Sequence, residues 1–133
     1  MTIERINPEG AYKPSGYHHI VAAQGRRAVH IAGQVAFDID RKLLGGSDVV
    51  AQARAVLENL GHRLAAVGGK PSDVAKITTY VVGYRREQHL AGLAEAITAF
   101  FGAEHLPCNT LIGVERLATD ELLVEIEAVA YVV

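Results

Sequence analysis

The end of the chain carries the side chains with the clearest potential for chemistry. Residues Glu121–Val133 alternate with a period of two and contain neither Gly nor Pro, which is typical of a β-strand. One alternating set is apolar throughout, whereas the other holds Glu125 and Glu127 between apolar residues. A carboxyl group in a mostly apolar cleft should have a raised pKa, which suits general acid–base catalysis. Glu125 could therefore activate a water molecule, or it could make a hydrogen bond or ion pair between subunits.

Two further groups of residues are weaker candidates. Cys108 follows His105 by three positions, and such a pair could supply a nucleophile, but no third group is available to orient it. A lone cysteine in a strand more often packs as a small apolar residue. His18 and His19 are adjacent, so on a strand they would point to opposite faces and could not chelate together. The other histidines are scattered, at 30, 62 and 89, and the sequence therefore predicts no metal site.

Composition restricts the class of protein. The 133 residues are enough for one domain with a core, and half of them are apolar. The net charge of -2 gives no electrostatic reason to expect nucleic acid. No apolar run approaches the roughly 20 residues of a membrane helix, and the polar N-terminus lacks the apolar region of a signal peptide. With a single cysteine, these features favour a cytoplasmic protein without membrane association.

Apolar spacing predicts six strands and two helices in a single domain spanning residues 1–133. The predicted strands are a short edge strand at 3–7, a hairpin of 17–24 with 28–37, and strands at 75–82, 106–114 and 121–133. The predicted helices run from Ser47 or Asp48 to about Val67, and from His89 to Phe101. This order indicates an α+β fold, in which a β-sheet packs against two helices.

The faces of that sheet also predict an assembly. Two helices can cover one face, yet the hairpin and the strands at 75–82 and 121–133 are apolar on much of both faces. No sequence remains to supply another layer. We therefore expect a homo-oligomer in which sheet packs against sheet.

Several stretches resemble one known family. They are Gly16-Tyr17, V-H-I-A-G-Q at 29–34, Q-A-R-A-V-L-E-N-L at 52–60, D-V-A-K-I-T-T-Y-V-V at 73–82 and V-E-I-E-A-V-A at 124–130. Together they resemble the YjgF or reactive-intermediate-deaminase (Rid) family, also called L-PSP endoribonuclease-like, over nearly the whole chain. The resemblance implies a chorismate-mutase-like fold of the bacillus type with a mixed sheet. It also implies a homotrimer with its sheets facing inward and a small-molecule pocket in each cleft between subunits.

The active members of this family hydrolyse enamines and imines derived from amino acids to keto acids and ammonia, without a metal or organic cofactor. The resemblance assigns three of their pocket positions to residues retained here: Tyr17, the backbone of Gly33, and Glu125. Tyr17 and Glu125 are therefore the predicted catalytic residues. Tyr17 could orient a ligand through its hydroxyl group, or simply close the cleft as an aromatic with a solvated hydroxyl.

Three polar groups of the family's pocket are absent. The Arg of the family motif P-x-R-S corresponds to Asn109, its Ser before G-Q to Ala32, and its helical Asn to Ala94. These three positions and Cys108, beside Asn109, complete the predicted ligand-binding set. Asn109 could bind a neutral amide or carbonyl group, or merely satisfy neighbouring strands.

The replaced Arg carries the main functional consequence. A guanidinium binds a carboxylate through two charged hydrogen bonds, each contributing about 1.5–3 kcal/mol, and a neutral Asn cannot replace them. The sequence thus predicts a poor 2-iminopropionate or 2-aminoacrylate deaminase that takes an uncharged or differently charged metabolite. A ligand-sensing or protein-binding trimer without catalysis is the alternative. An endoribonuclease is less favoured, because no basic stripe with stacking aromatics is evident.

Overall fold

The computed structural model describes residues 2–133. Its strands are β1 (Thr2–Ile6), β2 (Ile20–Gln24), β3 (Arg27–Gln34), β4 (Val74–Val82), β5 (Cys108–Val114) and β6 (Val124–Val132). Its helices are α1 (Val49–Ala66) and α2 (Arg86–Phe101), and a short 3-10 helix, Pro71–Asp73, precedes β4. No helix within residues 2–133 has the length and apolar character needed to cross a membrane.

Four strands form the main sheet in the order β3-β6-β4-β5. β6 is antiparallel to both of its neighbours, whereas β4 and β5 run parallel, so the sheet is mixed. β1 and β2 form a separate antiparallel pair, with Thr2 opposite Gln24. The predicted α+β class, a mixed sheet with two helices, is confirmed.

The predicted hairpin of residues 17–24 with 28–37 is wrong. β2 pairs with β1, and β3 pairs with β6 instead. The turn between them is tied elsewhere, because the Arg26 guanidinium donates to the Asp73 carboxylate (2.8 Å) and to the Tyr131 carbonyl oxygen (3.1 Å). Alternation of apolar residues specifies which face a side chain occupies, but not which strand lies beside it.

Helix α1 begins where the sequence predicts. The Asp48 carboxylate accepts a hydrogen bond from the Ala51 backbone N–H (3.0 Å), which satisfies one of the free donors of the first turn. The buried stripe of α1 includes an unexpected polar residue, Gln52, which is fully buried. Its side chain donates to the carbonyl oxygens of Gly46 (2.7 Å) and Glu121 (3.0 Å), and thereby ties the start of α1 to the approach of β6.

Helix α2 begins at Arg86, three residues before the predicted start at His89. The backbone N–H of Arg85 donates to His89 Nδ1 (2.9 Å). A side chain from the next turn thus supplies a hydrogen-bond acceptor for the backbone N–H of the residue that precedes the helix. Leu93, Ile97 and Phe101 of α2 are buried, in agreement with the predicted apolar stripe.

The two faces of the main sheet differ in burial. Val124, Ile126 and Ala128 of β6 point into the core with α1 and α2, whereas Glu125 and Glu127 occupy the other face. We call the second face the open face. It carries the alternate residues of every strand in the sheet, and those of β4 are half-buried while those of β3 are exposed. Core and open face therefore alternate along each strand, as the pleat requires.

Candidate functional site

A cavity of about 230 Å³ lies between the loop before β2, helix α2 and strand β5. Its lining includes a half-buried Tyr17 from the loop, four apolar residues from α2 and Asn109 from β5. Leu93, Ala94 and Ile97 are among the α2 residues that line the cavity. None of the lining residues within 2–133 is charged. The cavity thus combines apolar walls with a few neutral polar groups, which is usual for a small-molecule site.

The loop closes this cavity by packing directly on α2. Gly16 has a positive φ of 80°, and a Cβ built there would lie 3.5 Å from the Ala94 Cβ. Because Gly16 adopts this conformation without a steric penalty, the backbone can turn here and place Tyr17 at the cavity. The small side chain of Ala94 allows the loop to approach the helix closely.

Asn109 reaches the cavity from the helix side of the sheet. It lies opposite Ile77 in the parallel register of β4 and β5, and Ile77 is fully buried beneath the helices. Thr79, also fully buried, donates its hydroxyl hydrogen bond to Asn109 Oδ1 (3.0 Å). The amide is therefore held in one orientation by a neighbouring strand.

Tyr17 is held through its hydroxyl group. The Tyr17 and Tyr12 hydroxyl oxygens are 2.6 Å apart, and both rings meet His19 edge to face. This hydrogen bond raises the pKa of Tyr17, with smaller contributions from burial and from the charge of Tyr12. Tyr17 thus stays protonated near neutral pH.

Glu125 occupies the open face. It lies opposite Tyr80 in the antiparallel register of β4 and β6. A Cβ built on Gly33 would fall 1.9 Å from Glu125 Oε2, so the carboxyl group fills the space that the absent side chain leaves. Burial raises the pKa of Glu125, and the neighbouring Glu127 raises it further.

Glu127 has a partner of its own. The Tyr80 hydroxyl donates to Glu127 Oε1, and this hydrogen bond raises the pKa of Tyr80. Glu127 thus pairs with a tyrosine. Glu125 is left as the carboxyl group facing Gly33.

The predicted site residues fall into two groups within one chain. Tyr17, Ala94 and Asn109 line the cavity together. Glu125 packs against Gly33 on the opposite face of the sheet, and Ala32 is exposed beside Gly33 on β3. Successive side chains of a strand alternate between faces, so the sheet itself separates Asn109 from Glu125.

Cys108 belongs near the first group. Its thiol donates to the His19 carbonyl oxygen (3.4 Å), which fixes the β5 strand to the loop that carries Tyr17. His105 lies in the turn after α2, where its backbone N–H donates to the Gly102 carbonyl oxygen (3.0 Å). Within residues 2–133, no group of three or more His, Cys, Asp or Glu side chains is arranged to hold a metal ion.

Sequence reasoning missed two residues that touch the site. Thr79 carried a signal, because it lies between the apolar positions Ile77 and Val81 on the buried face of a strand, where a hydroxyl group needs a partner. Tyr12 carried none, since it lies in an irregular loop and is 71% exposed.

The sequence and the fold of this chain both resemble those of known proteins. Residues 3–132 match the sequence profile of the family described as endoribonuclease L-PSP. A RutC family protein of Pyrococcus horikoshii is 35% identical over 128 residues, covering 96% of this chain and 97% of that protein. The 3-aminoacrylate deaminase RutC of Acinetobacter baylyi is 28% identical over 132 residues, covering 99% of this chain and all of that protein. The crystal structure of the Rid-family protein YyfB of Yersinia pestis has a TM-score of 0.94 and 42% identity, covering 99% of this chain and all of that chain.

Proposed function

Since the chain belongs to the endoribonuclease L-PSP family, to which the YjgF and Rid proteins are assigned, we propose that it is a cofactor-free hydrolase of C–N bonds in imines or enamines. The observation that carries the proposal is Glu125, a partly buried carboxyl group with a raised pKa that is held against Gly33. A carboxyl group whose pKa is shifted towards neutrality is suited to both accept and return a proton.

The relatives support this class of reaction. The protein of Acinetobacter baylyi that matches nearly the whole chain is a 3-aminoacrylate deaminase, and such a deaminase cleaves the C–N bond of an enamine. At 28% identity, the class of reaction is transferred here, and the substrate is left to the residues of this chain.

The proposed reaction uses one water molecule. Glu125 takes a proton from water as the water oxygen bonds to the imine carbon, and it returns that proton to the imine nitrogen, giving a neutral carbinolamine. Glu125 then takes the proton of the carbinolamine hydroxyl group and delivers it to nitrogen as the C–N bond breaks, so that a carbonyl product and ammonia leave. Tyr17, which remains protonated, would orient the ligand through its hydroxyl group. Every atom of this reaction comes from the substrate and water, so no cofactor is required.

The site requires more than one copy of the chain. Within one chain the sheet separates Glu125 from the cavity with Tyr17 and Asn109. We place the complete site in a cleft between copies of a homotrimer whose sheets face inward. Exposed or half-buried residues of the open face, including Ala28, Val129 and Tyr131, support such packing because they are apolar or aromatic.

Asn109 sets the expected substrate. Within one chain, none of the cavity-lining residues in 2–133 is cationic, and the neutral Asn109 supplies no charge to a carboxylate. We therefore expect a poor 2-iminopropionate deaminase and a preference for an uncharged small metabolite.

This function can be tested with imines generated in place. An amine oxidase acting on benzylamine supplies a neutral imine, and an amino-acid oxidase acting on alanine supplies 2-iminopropionate. We expect the protein to accelerate hydrolysis of the neutral imine and to leave 2-iminopropionate nearly unaffected. Glu125→Gln should abolish the acceleration, whereas Glu95→Gln, at an exposed position of α2, should retain it.

Two results would change this conclusion. Hydrolysis of 2-iminopropionate at the rate of active family members would overturn the proposed selectivity. No acceleration with either imine would favour the second candidate, a ligand-sensing trimer, which is supported by the replacement of three polar pocket groups with Ala32, Ala94 and Asn109. That candidate predicts a ligand that raises the melting temperature without being consumed, in both the native protein and Glu125→Gln.

A further inference from the structure

We propose that Thr79 is a positioning residue that presents the Asn109 amide nitrogen to the cavity, so that the cavity selects an uncharged molecule carrying a carbonyl or amide oxygen. The inference rests on the proposed function in one respect, which is that the cavity receives the ligand. It concerns recognition at Asn109, and it is independent of whether Glu125 performs hydrolysis.

Thr79 fixes the orientation of the Asn109 amide. The Thr79 hydroxyl donates to Asn109 Oδ1 over 3.0 Å, and Thr79 is fully buried. A hydroxyl group buried at that position needs a hydrogen-bond partner, and the amide oxygen supplies it. Because the amide is planar, fixing its oxygen towards Thr79 turns its NH₂ group to the other side.

The NH₂ group of Asn109 lies at the cavity. Asn109 is half-buried and lines the cavity, so its free side faces the space beside Leu93 and Ile97. Within residues 2–133, the hydrogen-bond partner of the Asn109 side chain is Thr79. The NH₂ group is thus a donor available to a ligand.

The other polar groups at the cavity have a hydrogen-bond partner or are exposed to solvent. The Tyr17 hydroxyl already shares a hydrogen bond with Tyr12, and Ser15 is exposed to solvent. Within residues 2–133, the Asn109 NH₂ group is therefore a donor at the cavity without a hydrogen-bond partner. A ligand that accepts this hydrogen bond gains an interaction with a donor whose orientation Thr79 fixes.

These features discriminate between three kinds of ligand of the same shape. A hydrocarbon leaves the donor unpaired, which weakens binding. A carboxylate accepts the hydrogen bond but loses its hydration among apolar walls without gaining a cation. A neutral amide or carbonyl compound accepts the hydrogen bond and loses less hydration. We therefore expect it to bind more tightly than either isostere.

Benzamide, benzoate and toluene test this preference with one ring size. Titration calorimetry at neutral pH should give benzamide a dissociation constant about 2- to 10-fold lower than that of toluene, which corresponds to one net hydrogen bond. Benzoate should bind at least about 10-fold more weakly than benzamide. Side-chain NH₂ resonances assigned with Asn109→Leu should shift on addition of benzamide and remain in place with toluene.

Variants of β4 test the role of Thr79. Thr79→Val keeps the shape but removes the hydroxyl, so the amide can rotate, and the preference for benzamide over toluene should largely disappear. Thr79→Ser should restore it, because the hydroxyl returns. The matched control is Thr78→Val, which changes a half-buried Thr on the open face of the same strand and should leave the preference intact.

The outcomes separate this inference from the proposed function. Benzoate binding as tightly as benzamide, or an unchanged preference in Thr79→Val, would overturn it, as would the absence of benzamide binding at millimolar concentration. Glu95→Gln, at an exposed position of α2, should bind benzamide like the native protein. Amide selectivity without imine hydrolysis would reject the hydrolase and keep the recognition by Asn109, whereas hydrolysis without amide selectivity would do the reverse.

Discussion

The position of the Glu125 carboxyl group depends on Gly33. Any side chain at residue 33 would overlap the carboxyl group, since the ideal Cβ lies 1.9 Å from Oε2, 2.6 Å from Cδ and 2.8 Å from Cγ. The backbone of Gly33 does not have a positive φ, so glycine is needed here for space rather than for conformation. Gly33 thus has a physical role in this chain, because the absence of a side chain leaves room for the Glu125 carboxyl group.

Gly33→Ala should separate function from stability. The added methyl group meets the end of a flexible side chain, so we expect a loss of only about 1 kcal/mol in the free energy of unfolding. Glu125 must move, and displacement of a catalytic group by about 1 Å can reduce the rate about 100-fold. Imine hydrolysis and chemical denaturation measure the two effects.

The double variant Gly33→Ala/Glu125→Gln provides the control for this experiment. If Gly33 acts through Glu125, the rate of the double variant should equal that of Glu125→Gln alone. Additive losses in rate would contradict the assignment.

The raised pKa of Glu125 predicts a pH dependence of stability. Its folded pKa lies above the ordinary value of 4.5, so the folded protein binds this proton more tightly than the unfolded chain. Stability should therefore fall as pH rises from about 4.5 through the raised pKa, and then level off. Glu125→Gln has no ionisable group at this position, so its free energy of unfolding should not fall for this reason. Across the same pH range, the free energy of unfolding of the variant should therefore rise progressively relative to that of the native protein.

Urea denaturation at a series of pH values measures this difference. Glu95→Gln, which changes an exposed carboxyl group, serves as the control and should parallel the native protein more closely. A stability difference between Glu125→Gln and the native protein that stays constant with pH would show that the folded environment does not shift Glu125.

At the scale of elements, β4 divides the candidate site. Ile77 and Thr79 face the helices and meet Asn109, whereas Tyr80 faces the open side and bonds to Glu127. One strand thus supports two separate polar arrangements, one on each face. The alternation was visible in the sequence, but the assignment of Asn109 and Glu125 to opposite faces required the register of β4 with both neighbours.

The entry to α1 provides a test at this scale. Gly45 and Gly46 both have positive φ values, 82° and 56°. A Cβ at Gly45 would lie 2.7 Å from the Gln52 backbone nitrogen, whereas a Cβ at Gly46 would meet no atom within 4 Å. Gly46→Ala adds backbone strain of about 1–2 kcal/mol, and Gly45→Ala adds a backbone clash to the same strain.

We therefore expect Gly45→Ala to lower the free energy of unfolding by more than Gly46→Ala, by about 1 kcal/mol or more. Urea denaturation of both variants measures the difference. Equal losses would contradict the close approach of Gly45 to the first turns of α1.

At the scale of the whole molecule, the open face remains the principal unpaired surface of the main sheet. Val129 lies near its centre, opposite His30 in register and half-buried in a single chain. We expect a trimer with three times the chain mass of 14.3 kDa. Val129→Glu places a charge in the proposed interior. Lys76 lies beside this position in the β4–β6 register, but the carboxylate would still lose its hydration on assembly, so the variant should dissociate.

Light scattering after size-exclusion chromatography measures the mass. Ala65→Glu, which adds the same charge at an exposed position of α1, is the control and should keep the native mass. A native chain that elutes as a monomer, or an undisturbed oligomer in Val129→Glu, would contradict the proposed packing.

Much of the fold could be predicted because it depends on local spacing. The α1 stripe, the Asp48 cap and the strands predicted at 75–82 and 106–114, observed at 74–82 and 108–114, follow from periodicity and end signals. The hairpin of β2 with β3 was wrong because pairing depends on distant partners, namely β1, β6 and the Arg26–Asp73 ion pair. The early start of α2 depended on His89 satisfying the Arg85 backbone, a contact that apolar spacing does not report.

Residue types and their spacing were enough to predict the α+β class and to identify the chemical groups: a carboxyl group at Glu125, a neutral amide at Asn109 and small residues at 32 and 94. These follow from residue type and from periods of two and 3.6, which are properties of the chain alone. The tertiary structure decided which of these groups meet. It joined Asn109 to Thr79 and Tyr17 to Tyr12, and it put Glu125 on the opposite face against Gly33. Such contacts arise from strand register and loop packing between distant segments, which no local pattern encodes.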